Sequence, residues 1–286
     1  MNYITNEDTI IFSPHFNEKI DDKLLSNYKK VIFSNYELTD DLFDNYKNNY
    51  FKNCQCNGSK FNQSLDLSQN LTHLTFGRFF NQKVDLPHNL THLTFGEYFN
   101  QEINLPHNLT HLTFSSSFNQ KVDLPLNITH LIFGPSFNQK VNLPLNITHL
   151  TFGYFSVFNR KVDLPPNLTH LTFGYEFNQK VDLPQNLTHL TFGNNFNQEV
   201  DLPQNLTYLF FGNTFNQKVN LSSNLTHLIF GYGSIFNQKI VLPPNLTYLT
   251  FGNNFNQEVD LPQNLTHLTF GLPRKLFIIF WSLTKL

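Results

Sequence analysis

A 19-residue unit, written eleven times between Phe61 and Gly271, restricts this chain more than any other feature. A representative unit runs Phe177-Asn178-Gln179-Lys180-Val181-Asp182-Leu183-Pro184-Gln185-Asn186-Leu187-Thr188-His189-Leu190-Thr191-Phe192-Gly193 and closes with Asn194-Asn195. The leading Phe-Asn pair recurs at Phe61, Phe80, Phe99, Phe118, Phe137, Phe158, Phe177, Phe196, Phe215, Phe236 and Phe255. Eight of the ten intervals are 19 residues and two are 21, the extra pair falling around Tyr154 to Val157 and Tyr232 to Ile235. Insertions accepted at one place mark a surface loop. A single unit cannot bury its own apolar side, so the units must stack.

Each unit is too short for a strand, two turns and a real helix, since three helical turns alone need about 11 residues. The chain also has no alanine, and its prolines recur at fixed intervals, which disfavours helix further. Two extended segments are legible: His189-Leu190-Thr191-Phe192 and Lys180-Val181-Asp182-Leu183 both alternate polar and apolar residues, the period of half-buried strands. Gly193 and Pro184 end them at two corners. The expected fold is a β-rich solenoid: a leucine-rich-repeat-like, right-handed stack of 19-residue coils with a parallel strand sheet and almost no helix in the repeats. Its core is a column of Leu187, Leu190, Phe192, Phe177, Val181, Leu183 and their equivalents. Of 32 phenylalanines, 22 fall at two repeated core positions. Asparagines in Phe-Asn-Gln and before Leu-Thr or Ile-Thr are expected to bond turn backbone in neighbouring coils.

The segment Leu187-x-x-Leu190-x-Phe192 matches the strand half of a leucine-rich repeat. The whole coil, with Phe-Asn-Gln, Leu-Pro, Asn-Leu-Thr and Phe-Gly in order, resembles the FNIP repeat family of social amoebae and amoeba-infecting giant viruses. That resemblance implies a leucine-rich-repeat-like horseshoe without established enzymatic activity. Some members carry an N-terminal F-box that would recruit a ubiquitin ligase, but no convincing F-box stands in the first 60 residues here. Residues 1–60 divide instead into degenerate coils, with Thr9-Ile10-Ile11-Phe12 in one strand and Phe16-Asn17 opening a second coil, and an irregular cap or insertion over Tyr36 to Lys60. Residues 61–271 are the eleven repeats, and 272–286 form an apolar C-terminal cap or tail in which Leu276 to Trp281 would cover the last open coil.

The net charge of −2 offers no basic face for nucleic acid or an anionic membrane. Cys54 and Cys56 are separated by one residue and badly placed for a disulfide. They lack a second pair at structural-zinc spacing. No secretory leader is legible at the N-terminus and the apolar run near residue 280 is too short to span a bilayer, so a cytoplasmic location is expected, that of the host cell if the protein is viral.

The candidate binding face is the outward side of the strands. It comprises His73, His92, His111, His130, His149, His170, His189, Tyr208, His227, Tyr248 and His267, flanked by Thr75, Thr94, Thr113, Thr151, Thr172, Thr191, Thr250 and Thr269. A ladder of equivalent histidines is not the asymmetric constellation that catalysis requires. No phosphate loop or nucleophile elbow is present, and no catalytic, cofactor or metal site is expected. Adventitious zinc or copper at neighbouring imidazoles, ice binding by the threonines and glycosylation at the eleven Asn-x-Thr triplets are weaker readings than a binding stripe. Imidazoles about 5 Å apart repel when charged, so the seven consecutive histidines from His73 to His189 are expected to resist protonation. The sequence therefore points to a non-enzymatic, monomeric scaffold for a protein or peptide. Substrate recognition for a ubiquitin ligase is the first rival, and an enzyme with chemistry in residues 36–60 the second.

Overall fold

The computed structural model describes residues 2–36 and 58–271. The chain divides into two compact units, Met1–Gly153 and Tyr154–Leu286, each of which is a β-solenoid.

In the first unit, β1 (Tyr3–Thr5) pairs antiparallel with β2 (Thr9–Phe12), and every later pairing is parallel and in register. The parallel strands are β2, β3 (Lys30–Phe33), β4 (His73–Thr75), β5 (His92–Thr94), β6 (His111–Thr113), β7 (His130–Phe133) and β8 (His149–Phe152). The second unit contains β9 (His170–Thr172), β10 (His189–Thr191), β11 (Tyr208–Phe211), β12 (His227–Phe230), β13 (Tyr248–Phe251) and β14 (His267–Phe270), again parallel and in register. The helix among the described residues is a single turn, α1 (Asp22–Leu25), whose N-cap Asp21 carboxylate accepts the Lys23 amide at 3.0 Å. It joins two coils that lack the repeat signature. There Asn17 Oδ1 accepts the amide of Asn62 as repeat asparagines do further along.

A coil is shaped at two corners. The amide of Leu187 bonds the carbonyl of Pro184 at 3.2 Å, closing a tight turn into the strand. At the other end Gly193 lies so close to the preceding coil that a Cβ there would collide with the carbonyl of Gly174. Close backbone approach, rather than an unusual φ, thus accounts for the recurrent Phe-Gly.

The core is built from ring columns. Within a coil, Phe192 stacks on Phe196 at 3.7 Å; between coils, Phe192 meets Phe211 at 5.6 Å and Phe196 meets Phe215 at 6.1 Å. The spacing therefore widens from the strands, about 4.8 Å apart, toward the back. This explains one departure from expectation. Lys180 to Leu183 keeps its apolar alternation, with Leu183 buried and Val181 half-buried, but it pairs with no strand. Coils separated by that much at the back are beyond the reach of a backbone ladder, and side-chain amides bridge the gap instead.

The bridge is explicit. Asn178 Oδ1 accepts the Asn197 amide at 2.9 Å and Gln198 Nε2 at 3.1 Å, while the Asn178 amide donates to Asn159 Oδ1. The second asparagine column reaches turn carbonyls: Asn186 Nδ2 donates to Pro166 at 3.0 Å and Asn205 Nδ2 to Gln185 at 2.9 Å. Those amides, the acceptors in Asn-x-Thr, are committed to the fold. We expect Asn178→Ala to cost about 1–2 kcal/mol, because the Asn197 amide loses its acceptor, and Asn178→Asp to retain most of the stability. Urea unfolding of the three proteins checks this.

Two ion pairs among the described residues, Lys30–Asp8 (3.5 Å) and Arg78–Glu97 (2.8 Å), are both solvated and worth little.

Candidate functional site

Strand alternation turns Leu190 and Phe192 into the core and His189 and Thr191 outward, and the parallel in-register pairing repeats this in every coil. In the first unit it brings together His73, His92, His111, His130 and His149. Successive rings stack at 4.1, 4.1, 4.3 and 4.2 Å with interplanar angles of 11° to 12°. These spacings are shorter than those of the phenylalanine column behind the sheet, where Phe76 and Phe95 lie 5.5 Å apart. Within this unit the coils are closest on the histidine side, which is consequently its concave side. Thr75, Thr94 and Thr113 accompany the histidines, and Ile132, exposed, replaces threonine on β7 before Thr151 restores it.

In the second unit His170 and His189 stack at 4.2 Å, but the column then opens. His189–Tyr208, Tyr208–His227, His227–Tyr248 and Tyr248–His267 are 5.8, 6.1, 5.6 and 5.5 Å apart. The neighbouring outward column reads Thr172, Thr191, Phe210, Ile229, Thr250 and Thr269. Sequence reasoning that followed the threonines passed over Phe210, Ile229 and Ile132. The available signal was their polar counterparts: a large apolar side chain where other coils carry threonine.

Each histidine is held from its own coil. Thr91 Oγ1 lies 2.9 Å from His92 Nδ1 and donates to the Thr72 carbonyl at 3.0 Å, and Thr110 and His111 repeat the arrangement with the Thr91 carbonyl. The threonine before the strand thus fixes the ring by its Nδ1 edge and leaves Nε2 toward solvent. A recess beside the strand starts, lined by Tyr28, Lys29, Asn70, Thr72, Asn89 and Thr91, continues this polar surface.

Burial pushes His73, His92 and His111 below the ordinary imidazole value, and His111 down to about 4. Charge is the second cause. Lys30 opposes protonation of His73 while Asp8 favours it, His73 and His130 oppose that of His92, and His92 and His130 oppose that of His111. Strand spacing alone points to mutual repulsion, but desolvation between stacked rings is the larger effect. Among the described residues no three histidine, cysteine or carboxylate side chains converge as metal ligands do, and stacked imidazoles aim their Nε2 lone pairs in parallel rather than at one point. The Cys54-Gln55-Cys56 stretch and most of the 36–60 segment considered for chemistry lie outside the described residues. No helix among the described residues is long and apolar enough to cross a membrane.

The FNIP Repeat pattern matches at residues 61–98, 80–117, 99–123, 118–155, 158–182, 179–214 and 236–272, about two-thirds of the chain. The chain belongs to the FNIP repeat family. Among solved structures it is similar to CroV588, a circular LRR protein of a giant virus, with a TM-score of 0.64 and 34% identity over 96% of this chain. This FNIP-repeat chain spans about half of that protein, 53% of its length. It also aligns with YopM from Yersinia enterocolitica WA-314 at a TM-score of 0.49 and 19% identity, over 72% of this chain and 61% of that one. No curated protein matches. The fold is thus an LRR-like repeat scaffold.

Proposed function

We propose that this FNIP-repeat chain is a non-enzymatic scaffold that binds a protein or peptide on the outward face of its strand sheet. The observation that carries the reading is the replacement of the ladder in the second unit by Tyr208, Phe210, Ile229 and Tyr248 on the adjacent strands β11 to β13. Apart from Ile132, the other repeat coils hold histidine or threonine at these places, so the fold does not demand the larger apolar groups. Tyrosines and other aromatics set in a weakly polar surround are what protein interfaces use as anchors. From His170 to Thr269 the two outward columns contain no lysine, arginine, aspartate or glutamate, which suits a protein surface better than a polyanion. The partner would be met in the cytoplasm by a monomer.

The test is capture by the immobilised full chain. A partner retained by wild type should be lost from Tyr208→Glu/Ile229→Glu and kept by the back-surface variant Lys180→Glu/Lys218→Glu, with all three melting alike. Retention by the strand-face variant, or loss from both, would overturn the assignment of the face.

A further inference from the structure

The recess beside the strand starts in the first unit encloses about 570 Å3, the size of a small-molecule site. Its end wall comes from the coil of β3, which departs from the repeat just there. The amides of Thr72 and Thr91 bond the carbonyls of Lys29 and Thr72, so Lys29 occupies the place that Thr72 holds one coil on, and Tyr28 the place of the buried Leu71. A half-buried ring thus stands where leucine fills the core, and an ammonium where threonine stands. The side wall is a row of carboxamides. Nδ2 of Asn70, Asn89 and Asn108 donates to the turn carbonyls of Ser26, Gln69 and His88 at 3.4, 2.9 and 3.0 Å. Their Oδ1 atoms accept no bond from a described residue, so three acceptors recur one per coil, about 4.8 Å apart. Thr72 Oγ1 and Thr91 Oγ1 add no donors, because each gives its single proton to a carbonyl, of Lys29 and Thr72, at 3.2 and 3.0 Å. Lys29 Nζ and the Tyr28 hydroxyl supply donors at the end wall.

This inventory selects a ligand class. An anion would meet one ammonium against three carbonyl oxygens, and a cation would be repelled by that ammonium. An extended peptide repeats its same-side amides every two residues, about 6.6 Å, out of step with acceptors about 4.8 Å apart. A sugar hydroxyl donates and accepts at once. Hydroxyls along a glycan therefore give to the asparagine oxygens and take from Lys29 and Tyr28, while the Tyr28 ring offers an apolar face to sugar C–H groups. We propose that this recess binds a neutral oligosaccharide, lying along the stack from Tyr28 and Lys29 across Asn70, Asn89 and Asn108. The site uses none of the outward strand residues, so it stands or falls independently of what binds the strand face.

Calorimetric titration of the full chain with cellotetraose, maltotetraose, mannotetraose and chitotetraose tests the site and separates glucan, mannan and chitin as sources of the ligand. At least one of these should bind one-to-one with a Kd below about 1 mM. Tyr28→Leu/Lys29→Thr gives this coil the residues that later coils carry at the same places, so it should melt with wild type yet weaken binding about tenfold or more. Lys29→Ala, at an exposed position, should by itself weaken binding about threefold. The strand-face variant Tyr208→Glu/Ile229→Glu should bind as wild type does. Three outcomes overturn the proposal: none of the four glycans binds, both Tyr28→Leu/Lys29→Thr and Lys29→Ala bind undiminished, or several glycans bind per chain, which makes the asparagine ladder rather than the recess the site.

Discussion

Replacing Phe192 with alanine is expected to cost about 3–5 kcal/mol, while His189→Ala costs under about 1 kcal/mol. Phe192 is fully buried and touches rings on three sides: Phe196 of its own turn at 3.7 Å, Phe173 at 5.8 Å and Phe211 at 5.6 Å. Removing the ring takes apolar area out of the column and leaves a void between coils held in place by their strand pairing. His189 lies three residues earlier and so on the opposite, exposed side of the strand, where alanine gives up a stack on His170 and a contact with Thr188 Oγ1. Because repeat arrays unfold by neighbouring coils, urea titration followed both by tyrosine fluorescence and by circular dichroism is the appropriate measurement. Equal losses from the two substitutions would show that the inside and outside of the strand have been exchanged.

Repetition made most of this architecture legible. Alternation in His189-Leu190-Thr191-Phe192 assigned the two faces, the constant interval assigned the stacking, and the two asparagine columns were placed against turn backbone where the structure has them. What a repeat unit cannot express is how coil spacing changes across the coil. Val181 and Leu183 alternate like a strand, yet the wider separation at the Phe196–Phe215 level denies them a ladder. The same blindness affects the ends. Tyr3–Thr5 carries no repeat signature, and its antiparallel pairing with Thr9–Phe12 follows from an end that needs covering rather than from any periodicity. On the candidate face, following the repeated threonines obscured Phe210 and Ile229, since a pattern search weights what recurs and a specific partner is recognised by what does not.

Acidification should destabilise the first unit through its histidine ladder. In the folded chain His73, His92 and His111 take up protons at lower pH than in the unfolded chain, where imidazole titrates near 6.5. Between those values the unfolded state binds more protons than the folded state, so stability rises with pH across that interval. The contribution is complete above about pH 6.5 and is lost as pH falls through the depressed folded values, which for His111 means toward about 4. These rings keep a solvent-facing edge, so screening discounts the effect, and His111, whose shift is large, contributes most of it, about 1 kcal/mol after that discount. Asp8, which favours protonated His73, works against the trend at the N-terminal end, and Lys30 works with it. Thermal melts at pH 7.5 and 4.5 of wild type and of His73→Gln/His92→Gln/His111→Gln test this, since glutamine keeps a polar group beside Thr72, Thr91 and Thr110 without a titrating ring. The wild type should lose about 2–4 °C more than the variant on acidification. If both fall by the same amount, the ladder is electrostatically silent and the acid response belongs to carboxylates such as Asp8, whose pKa is lowered chiefly by its bond from Thr9.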